Sequence, residues 1–328
     1  MIRNQWYVIL RSREVKAGKP VGVTRMGEKL VLWRDPAGRV TCLVDRCPHR
    51  GAALSLGSTH DGVIQCPFHG FEFEHDGKCT CIPANGLGTK PPKAMRAETY
   101  PVREAHGYIY LWWGLPRQGY PPLPWFEDLD DTFSTANFHD HWAIDYSRAI
   151  ENQLDVFHLP SVHDTAVGRG GRTIADGPFY QTRGVELLIW VYNRLDDGSG
   201  IARRASELPE PQGPPMLRFQ FPNLWMNRIS DDIRITAYFT PVDNENCIIY
   251  LRSYQRFIRV PLLRNIVTWF FNPSNRVILN QDKKVVLTQR PKRSCLKNGE
   301  ILIPADGPVI EYRKVRRELQ RLAGQAVD

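Results

Sequence analysis

Cys47-Pro48-His49-Arg50-Gly51 and Cys66-Pro67-Phe68-His69-Gly70 decide the reading of this chain: a C-x-H and a C-x-x-H with sixteen residues between His49 and Cys66. Two thiolates and two imidazoles at this spacing suit a two-iron, two-sulfide cluster in which one iron takes both cysteines and the other both histidines. A structural zinc site draws on the same ligand types. Zinc's paired ligands are usually about two to four residues apart, however, and one residue between Cys47 and His49 is tight for two side chains closing on a single tetrahedral ion. One residue is easier when the side chains grip different irons. Pro after each Cys and Gly at the end of each segment favour two stiff, tightly turned loops whose backbone N–H groups can point at inorganic sulfide. From Val21 to Trp113 the flanking sequence reads as short strands separated by Gly, Pro and Asp turns, such as Lys29–Trp33 and Tyr108–Trp112. An antiparallel β domain follows, with the cluster loops expected at hairpin tips.

The chain has 328 residues, enough for two domains and far more than a small electron carrier needs. A Pro-rich stretch from Leu115 to Trp125, followed by the acidic Glu127–Asp131, marks the boundary, giving domains at 1–118 and 119–328. In the second domain Tyr146–Leu159 reads as one helix stopped near Pro160. Strand-like runs follow at Glu186–Tyr192, Leu217–Phe221, Ile233–Phe239 and Cys247–Tyr254, and helices are expected around Asn275–Arg290 and Val309–Ala323. An antiparallel sheet with helices gripping one face is an α+β architecture able to enclose a pocket.

Seven cysteines, two of them committed to the cluster, do not resemble a secreted disulfide framework; Cys42, Cys79, Cys81, Cys247 and Cys295 are read as free thiols in a reducing compartment. The opening Met1–Val8 has neither a continuous apolar core nor a transit-peptide composition, and no apolar run reaches membrane-spanning length, so a cytoplasmic protein without a membrane segment is expected. The net charge of +8 is unevenly placed: between Arg256 and Arg321, Lys and Arg outnumber Asp and Glu by fifteen to five. No reading helix or RNP-type motif accompanies this basic stretch, which argues against nucleic acid and leaves an acidic redox partner, an anionic substrate or a merely solvated basic face.

A second constellation lies in Glu151-Asn152-Gln153-Leu154-Asp155-Val156-Phe157-His158-Leu159-Pro160-Ser161-Val162-His163. Asp155 and His158, three apart, can share a helix face, and Pro160 can turn the chain so that His163 returns to the same point. Two histidines and a carboxylate are the ingredients of a facial triad for ferrous iron with open positions. Ile278, Asp282, Val285 and Gln289 fall at helical spacing, which puts Asp282 on an inward stripe where an acid wants a cation.

The two motifs together, N-x-x-D-x-x-H-x4-H downstream of C-x-H-x16-C-x-x-H, resemble the Rieske non-heme iron oxygenases, and specifically their catalytic α subunits in the single-subunit monooxygenase and demethylase branch. The resemblance implies a Rieske [2Fe-2S] domain with Cys47, His49, Cys66 and His69 as ligands, then a helix-grip catalytic domain whose iron takes His158, His163 and Asp282. It assigns Asp155 to a bridge between His158 and a cluster histidine of a neighbouring subunit, hence a ring-shaped homotrimer, and it places Asn152 near the vacant side of the iron. It implies dioxygen and a small-molecule substrate, with electrons from NAD(P)H through a separate ferredoxin or flavin reductase, because no nucleotide-binding Gly-rich loop occurs here. Outcomes for such a site are hydroxylation, O- or N-demethylation, cis-dihydroxylation and desaturation. Ala52 and Phe68 stand where the respiratory type carries two further cysteines, and Phe71 where it carries a Ser that bonds the cluster, which implies a potential low in the Rieske range. The competing reading from another class is a Rieske electron carrier with a non-catalytic second domain.

Overall fold

The computed structural model describes residues 1–327 apart from 87, 165–169, 199 and 259, and for 261–272 the backbone alone. The chain divides into two compact units between Leu123 and Pro124, five residues beyond the boundary expected from composition.

The first unit is built from ten short strands: β1 (Gln5–Arg11), β2 (Val21–Arg25), β3 (Glu28–Arg34), β4 (Val40–Val44), β5 (Ser58–His60), β6 (Val63–Gln65), β7 (Glu72–Phe73), β8 (Cys79–Cys81), β9 (Val102–Ala105) and β10 (Tyr108–Trp113). They form three antiparallel sheets, ordered β1-β10-β9, β2-β3-β4 and β5-β6-β7-β8. β10, Tyr-Ile-Tyr-Leu-Trp-Trp, is paired along both edges as the central strand of its sheet and is buried throughout, and its aromatic and β-branched content suits that place. A core of Val31, Trp33, Leu43, Leu54, Ile64, Phe71, Phe73 and Ile82 closes around Cys47 and Cys66.

The second unit begins with β11 (Ser134–Trp142), α1 (Tyr146–Leu154) and α2 (Leu159–Val162). β12 (Ile174–Arg183), β13 (Glu186–Arg194), β14 (Leu217–Gln220), β15 (Leu224–Arg228), β16 (Ile233–Pro241) and β17 (Cys247–Gln255) follow, and α3 (Pro261–Val286) and α4 (Gly307–Leu322) close the chain. The strands make one seven-stranded antiparallel sheet, ordered β11-β17-β16-β15-β14-β13-β12. Its pairing puts Leu187, Phe219, Trp225, Ala237, Leu251 and Phe138 on one face. Tyr312 of α4 stacks on Phe221 at 5.6 Å and meets Phe219 edge-on at 5.4 Å, so this is the helix-covered face. Met226 and Tyr238 occupy the opposite face.

Several elements depart from the sequence expectation. The single helix expected over Tyr146–Leu159 ends at Leu154, because Asp155 takes an extended conformation, and Pro160 opens α2 rather than ending α1. Proline lacks the N–H that a first helical turn leaves unused, so it starts a helix as readily as it stops one. α3 begins at Pro261, well before Asn275, and continues through Pro273. Its inward stripe is Asn275, Leu279, Asp282 and Val286, while Val285 and Gln289 face outward; apolar identity alone does not say which of two adjacent residues faces the core. Strands β11 and β12 carry too many polar residues to have been read from periodicity, and β15, Leu-Trp-Met-Asn-Arg, is too short and does not alternate.

Asp176 of β12 ties the segment around Arg203 to the sheet. Its carboxylate accepts from the Arg203 main-chain N–H at 2.9 Å and from the Arg203 and Arg194 guanidinium groups at 2.7 and 3.0 Å. Burial works against the charge, but these donors outweigh it and hold the carboxyl at about 2. A depressed carboxyl contributes stability above its unfolded value near 4 and loses it as pH falls through about 2. Asp176→Asn should therefore cost on the order of 1–2 kcal/mol at neutral pH, discounted because both arginines reach solvent, and progressively less as pH falls from about 4 toward 2; urea titrations at about pH 7 and across this acid range measure this.

Candidate metal centres

The two loops of the first unit share one backbone design. The Cys47 N–H donates to the Ala52 carbonyl at 2.8 Å and the Gly51 N–H to the Cys47 carbonyl at 2.9 Å; the Cys66 N–H donates to the Phe71 carbonyl at 2.8 Å and the Gly70 N–H to the Cys66 carbonyl at 3.0 Å. Gly51 and Gly70 have φ of 76° and 72°, the left-handed conformation that closes each turn and that a side chain would strain. The second loop caps the β6-β7 hairpin, as expected, whereas the first does not: it leads from β4, which pairs with β3, toward β5 in another sheet.

These loops bring all four predicted ligands together. Cys47 and Cys66 are buried, 2% exposed each, and burial beside the second thiol pushes the Cys47 thiol up to about 11. Two buried neighbouring thiols call for a cation that takes them as thiolates. The His49 and His69 rings lie 4.9 Å apart and are exposed, so a cluster held by these four residues would be gripped by cysteines on its buried side and by histidines on its exposed side. Phe71 stacks on His49 at 4.7 Å and 11°. The residue that stands where the respiratory type carries a Ser therefore packs against a candidate ligand, and its side chain has no donor for the sulfurs. The donor set and its burial gradient fit a Rieske cluster.

In the second unit His158 follows α1, His163 ends α2 and Asp282 lies one turn before the end of α3. One ligand atom from each lies within 4.8 Å of the others. Oδ1 of Asp282 is 3.0 Å from Nε2 of His163 and 3.6 Å from Nε2 of His158, yet no N–H is aimed at it, so a buried carboxylate oxygen is left without a donor. Lys283, adjacent in sequence, bridges to Asp140 instead. Burial opposes the His163 imidazolium, but Asp282 and Gln281 outweigh it and raise its pKa, as expected of a site arranged for positive charge. Three ligands on one side of a point suit a metal with open positions.

Asp155 stands differently from the expectation. Its Oδ1 accepts the N–H groups of Phe157 and His158 at 2.8 and 3.1 Å, and lies 3.8 Å from Nδ1 of His158. That ring nitrogen is instead 3.2 Å from the Asp155 main-chain carbonyl. The same residue thus orients the imidazole through its backbone while its carboxylate shapes the turn. Asn152 presents a buried Nδ2 with no acceptor among the described residues.

Residues that sequence reading passed over complete the site. Gln153 Nε2 lies 3.2 Å from Asp282 Oδ2, Gln281 Oε1 lies 2.8 Å from His163 Nδ1, and Asn193 of β13 donates to the Val156 carbonyl at 2.7 Å, holding the turn between α1 and α2. Behind α1, Glu151 binds Arg148 at 3.1 Å and Arg313 at 2.7 Å, and Glu300 binds both arginines at 2.7 Å. Arg148 and Glu151, three apart on one helix, were the only local signal. Arg313 and Arg316 are buried, so part of the basic excess of the C-terminal region is structural and not surface.

Comparison with known proteins bears on both units. Residues 5–100 match the family described as Rieske [2Fe-2S] domain, and residues 142–322 that described as vanillate O-demethylase oxygenase C-terminal domain. Protein TIC 55, chloroplastic, of Arabidopsis thaliana is 29% identical over 94% of this chain and 58% of its own length. The oxygenase component of dicamba O-demethylase of Stenotrophomonas maltophilia is 36% identical over 49% of this chain and 48% of its own. The chain thus spans about half the length of these relatives. The crystal structure of dicamba monooxygenase bound to dicamba superimposes with a TM-score of 0.76 at 23% identity, covering 99% of both chains, and so shares the fold. By its two matched domains, in this order, the chain belongs to the Rieske non-heme iron oxygenases with a vanillate O-demethylase-type catalytic domain.

Proposed function

We propose that this chain is the terminal oxygenase component of a Rieske system that hydroxylates or oxidatively demethylates a small organic substrate. The convergence of His158, His163 and the donor-free Oδ1 of Asp282, in a chain that also gathers Cys47, Cys66, His49 and His69, carries the reading. An electron carrier has no use for the second site. When bound, the [2Fe-2S] cluster supplies single electrons and the ferrous ion supplies dioxygen activation. The protein's own part is to hold three ligands on one side, to keep Nε2 of both imidazoles directed at the metal, and to position the substrate on the open side. Overall, two electrons and two protons reduce dioxygen so that one oxygen atom enters the substrate and the other leaves as water.

The electrons come from NAD(P)H through a ferredoxin or flavin reductase. Relatives named for dicamba and vanillate O-demethylation favour an aromatic, anionic substrate with a methyl ether, which agrees with the basic balance of the C-terminal region. A homotrimer in the cytoplasm is the accompanying assembly and place; the five cysteines outside the proposed cluster, none of them in a disulfide among the described residues, suit a reducing compartment. No described helix is long and apolar enough to cross a membrane.

The primary test is iron and acid-labile sulfide per chain on anaerobically purified protein, with EPR after reduction. About three irons and two sulfides with a Rieske-type signal support the oxygenase, whereas about two irons, unchanged on adding ferrous ion, return it to an electron carrier. Formaldehyde release from methoxybenzoates with a reductase and NADH then separates demethylation from ring hydroxylation. A bridge to a neighbouring subunit's cluster histidine would have to run from the Asp155 carboxylate, which here shapes the turn, alongside the His158 imidazole that the Asp155 carbonyl orients. On that proposal Asp155→Asn should keep both metal centres yet slow substrate-dependent reoxidation of the cluster at least about 100-fold, and wild-type reoxidation by a metal-replete variant excludes the bridge.

A further inference from the structure

We infer that Gln153 and Gln281 are a complementary pair of positioning residues for the mononuclear centre, Gln281 needed as a hydrogen-bond acceptor and Gln153 as a donor. The inference rests on the reading of His158, His163 and Asp282 as the ferrous ligands. Each of these ligands has one atom for the metal and one that must be anchored elsewhere. His158 is anchored by the Asp155 main-chain carbonyl, 3.2 Å from Nδ1. His163 and Asp282, both 2% exposed, have no main-chain anchor there among the described residues and are served by side-chain amides.

The polarity of the two contacts follows from what each ligand must do. For His163 to offer the Nε2 lone pair, its proton must sit on Nδ1, and an Nδ1–H needs an acceptor; Oε1 of Gln281 is 2.8 Å away. For Asp282 to keep Oδ1 for the metal, its other oxygen must be occupied by a donor; Nε2 of Gln153 is 3.2 Å from Oδ2. Oδ1, the oxygen without a donor, is the one that faces both histidines. The amides also join distant segments: Gln153 of α1 reaches Asp282 of α3, and Gln281 of α3 reaches His163 at the end of α2, so the two contacts fasten α3 to α1 and to α2. Both partners are neutral, so they orient the ligands without adding charge to the site.

Gln→Glu substitutions at the two positions must then act in opposite senses. A glutamate at 281 still accepts from Nδ1–H, whereas a glutamate at 153 removes the donor and sets a second carboxylate against Oδ2. Ferrous-ion affinity, read by anaerobic competition with a chromophoric chelator, is the measurement, and the EPR signal of the reduced cluster reports intact protein. Gln281→Glu should stay within about threefold of wild type, and Gln281→Met and Gln153→Glu should each lose about 10–100-fold. Gln153→Met, nearly isosteric, should lose at least about threefold and keeps the test decisive where Gln153→Glu does not accumulate. Equal behaviour of the two Gln→Glu variants, or wild-type affinity in both Gln→Met variants, overturns the pair while leaving the ligand assignment standing. Wild-type protein that takes up no third iron overturns the ligand assignment and the pair together.

Discussion

His163→Ala is expected to lower the iron content from about three to about two per chain while acid-labile sulfide and the EPR signal of the reduced cluster stay at wild-type levels. His163 is 2% exposed, and its Nε2 is the nitrogen nearest the free oxygen of Asp282. Removing it leaves one imidazole and one carboxylate, too few protein ligands to hold a ferrous ion against water. Substrate oxidation should fall at least about 1000-fold, since no part of the chemistry can be supplied by the remaining side chains. The separation of the two readouts is the informative part, because the cysteines and histidines of the cluster lie in the other compact unit. Loss of cluster and iron together would mean a folding defect and would be resolved with His163→Gln. Full iron content and activity in a folded His163→Ala protein would remove this residue from the ligand set.

Glu151→Ala is expected to destabilise the second unit by about 3–5 kcal/mol, the usual cost of leaving a buried charge without its partner. The Arg148 and Arg313 side chains are each 2% exposed, and Glu151, 7% exposed, touches both. Glu300 alone cannot compensate, since both of its oxygens are already engaged by the same two arginines. Arg148 also donates to the Pro291 carbonyl at 3.0 Å, and Arg316 bonds Ser294, so the network fastens the segment before α4 to α1. Loss of this anchor should reach the metal site, because Asn152, Gln153 and the turn to His158 follow Glu151 directly. At about 2–4 °C per kcal/mol for a unit of this size, the melting transition of the catalytic unit should drop by roughly 6–20 °C. Bleaching of the cluster should be far less affected. Glu300→Ala, at a side chain 26% exposed, should cost clearly less, because solvent reaches the charges it abandons. A Glu151→Ala protein melting within about 2 °C of wild type would show that the network is relieved by water or rearrangement.

What the sequence by itself determined was the chemistry of both centres and the order of the domains. Ligand type and spacing are local properties: the C-x-H and C-x-x-H loops with their glycines point to a cluster by themselves, and D-x-x-H-x4-H gains its meaning from following them in the same chain. Asp282 was legible for a related reason, since an acid on an inward helix stripe demands compensation even when the neighbouring stripe residues are misjudged. Only the tertiary structure decided how the ligands are held. The end of α1 at Leu154 depends on Asp155 accepting two backbone N–H groups in place of continuing the helix, a competition that propensity does not resolve. The Gln153–Asp282 and Glu151–Arg313 contacts join residues 129 and 162 positions apart, and nothing in either segment names its partner. Hydrogen bonds and ion pairs of this kind are set by which helix faces pack together, and that is a property of the folded core, not of any stretch of the chain.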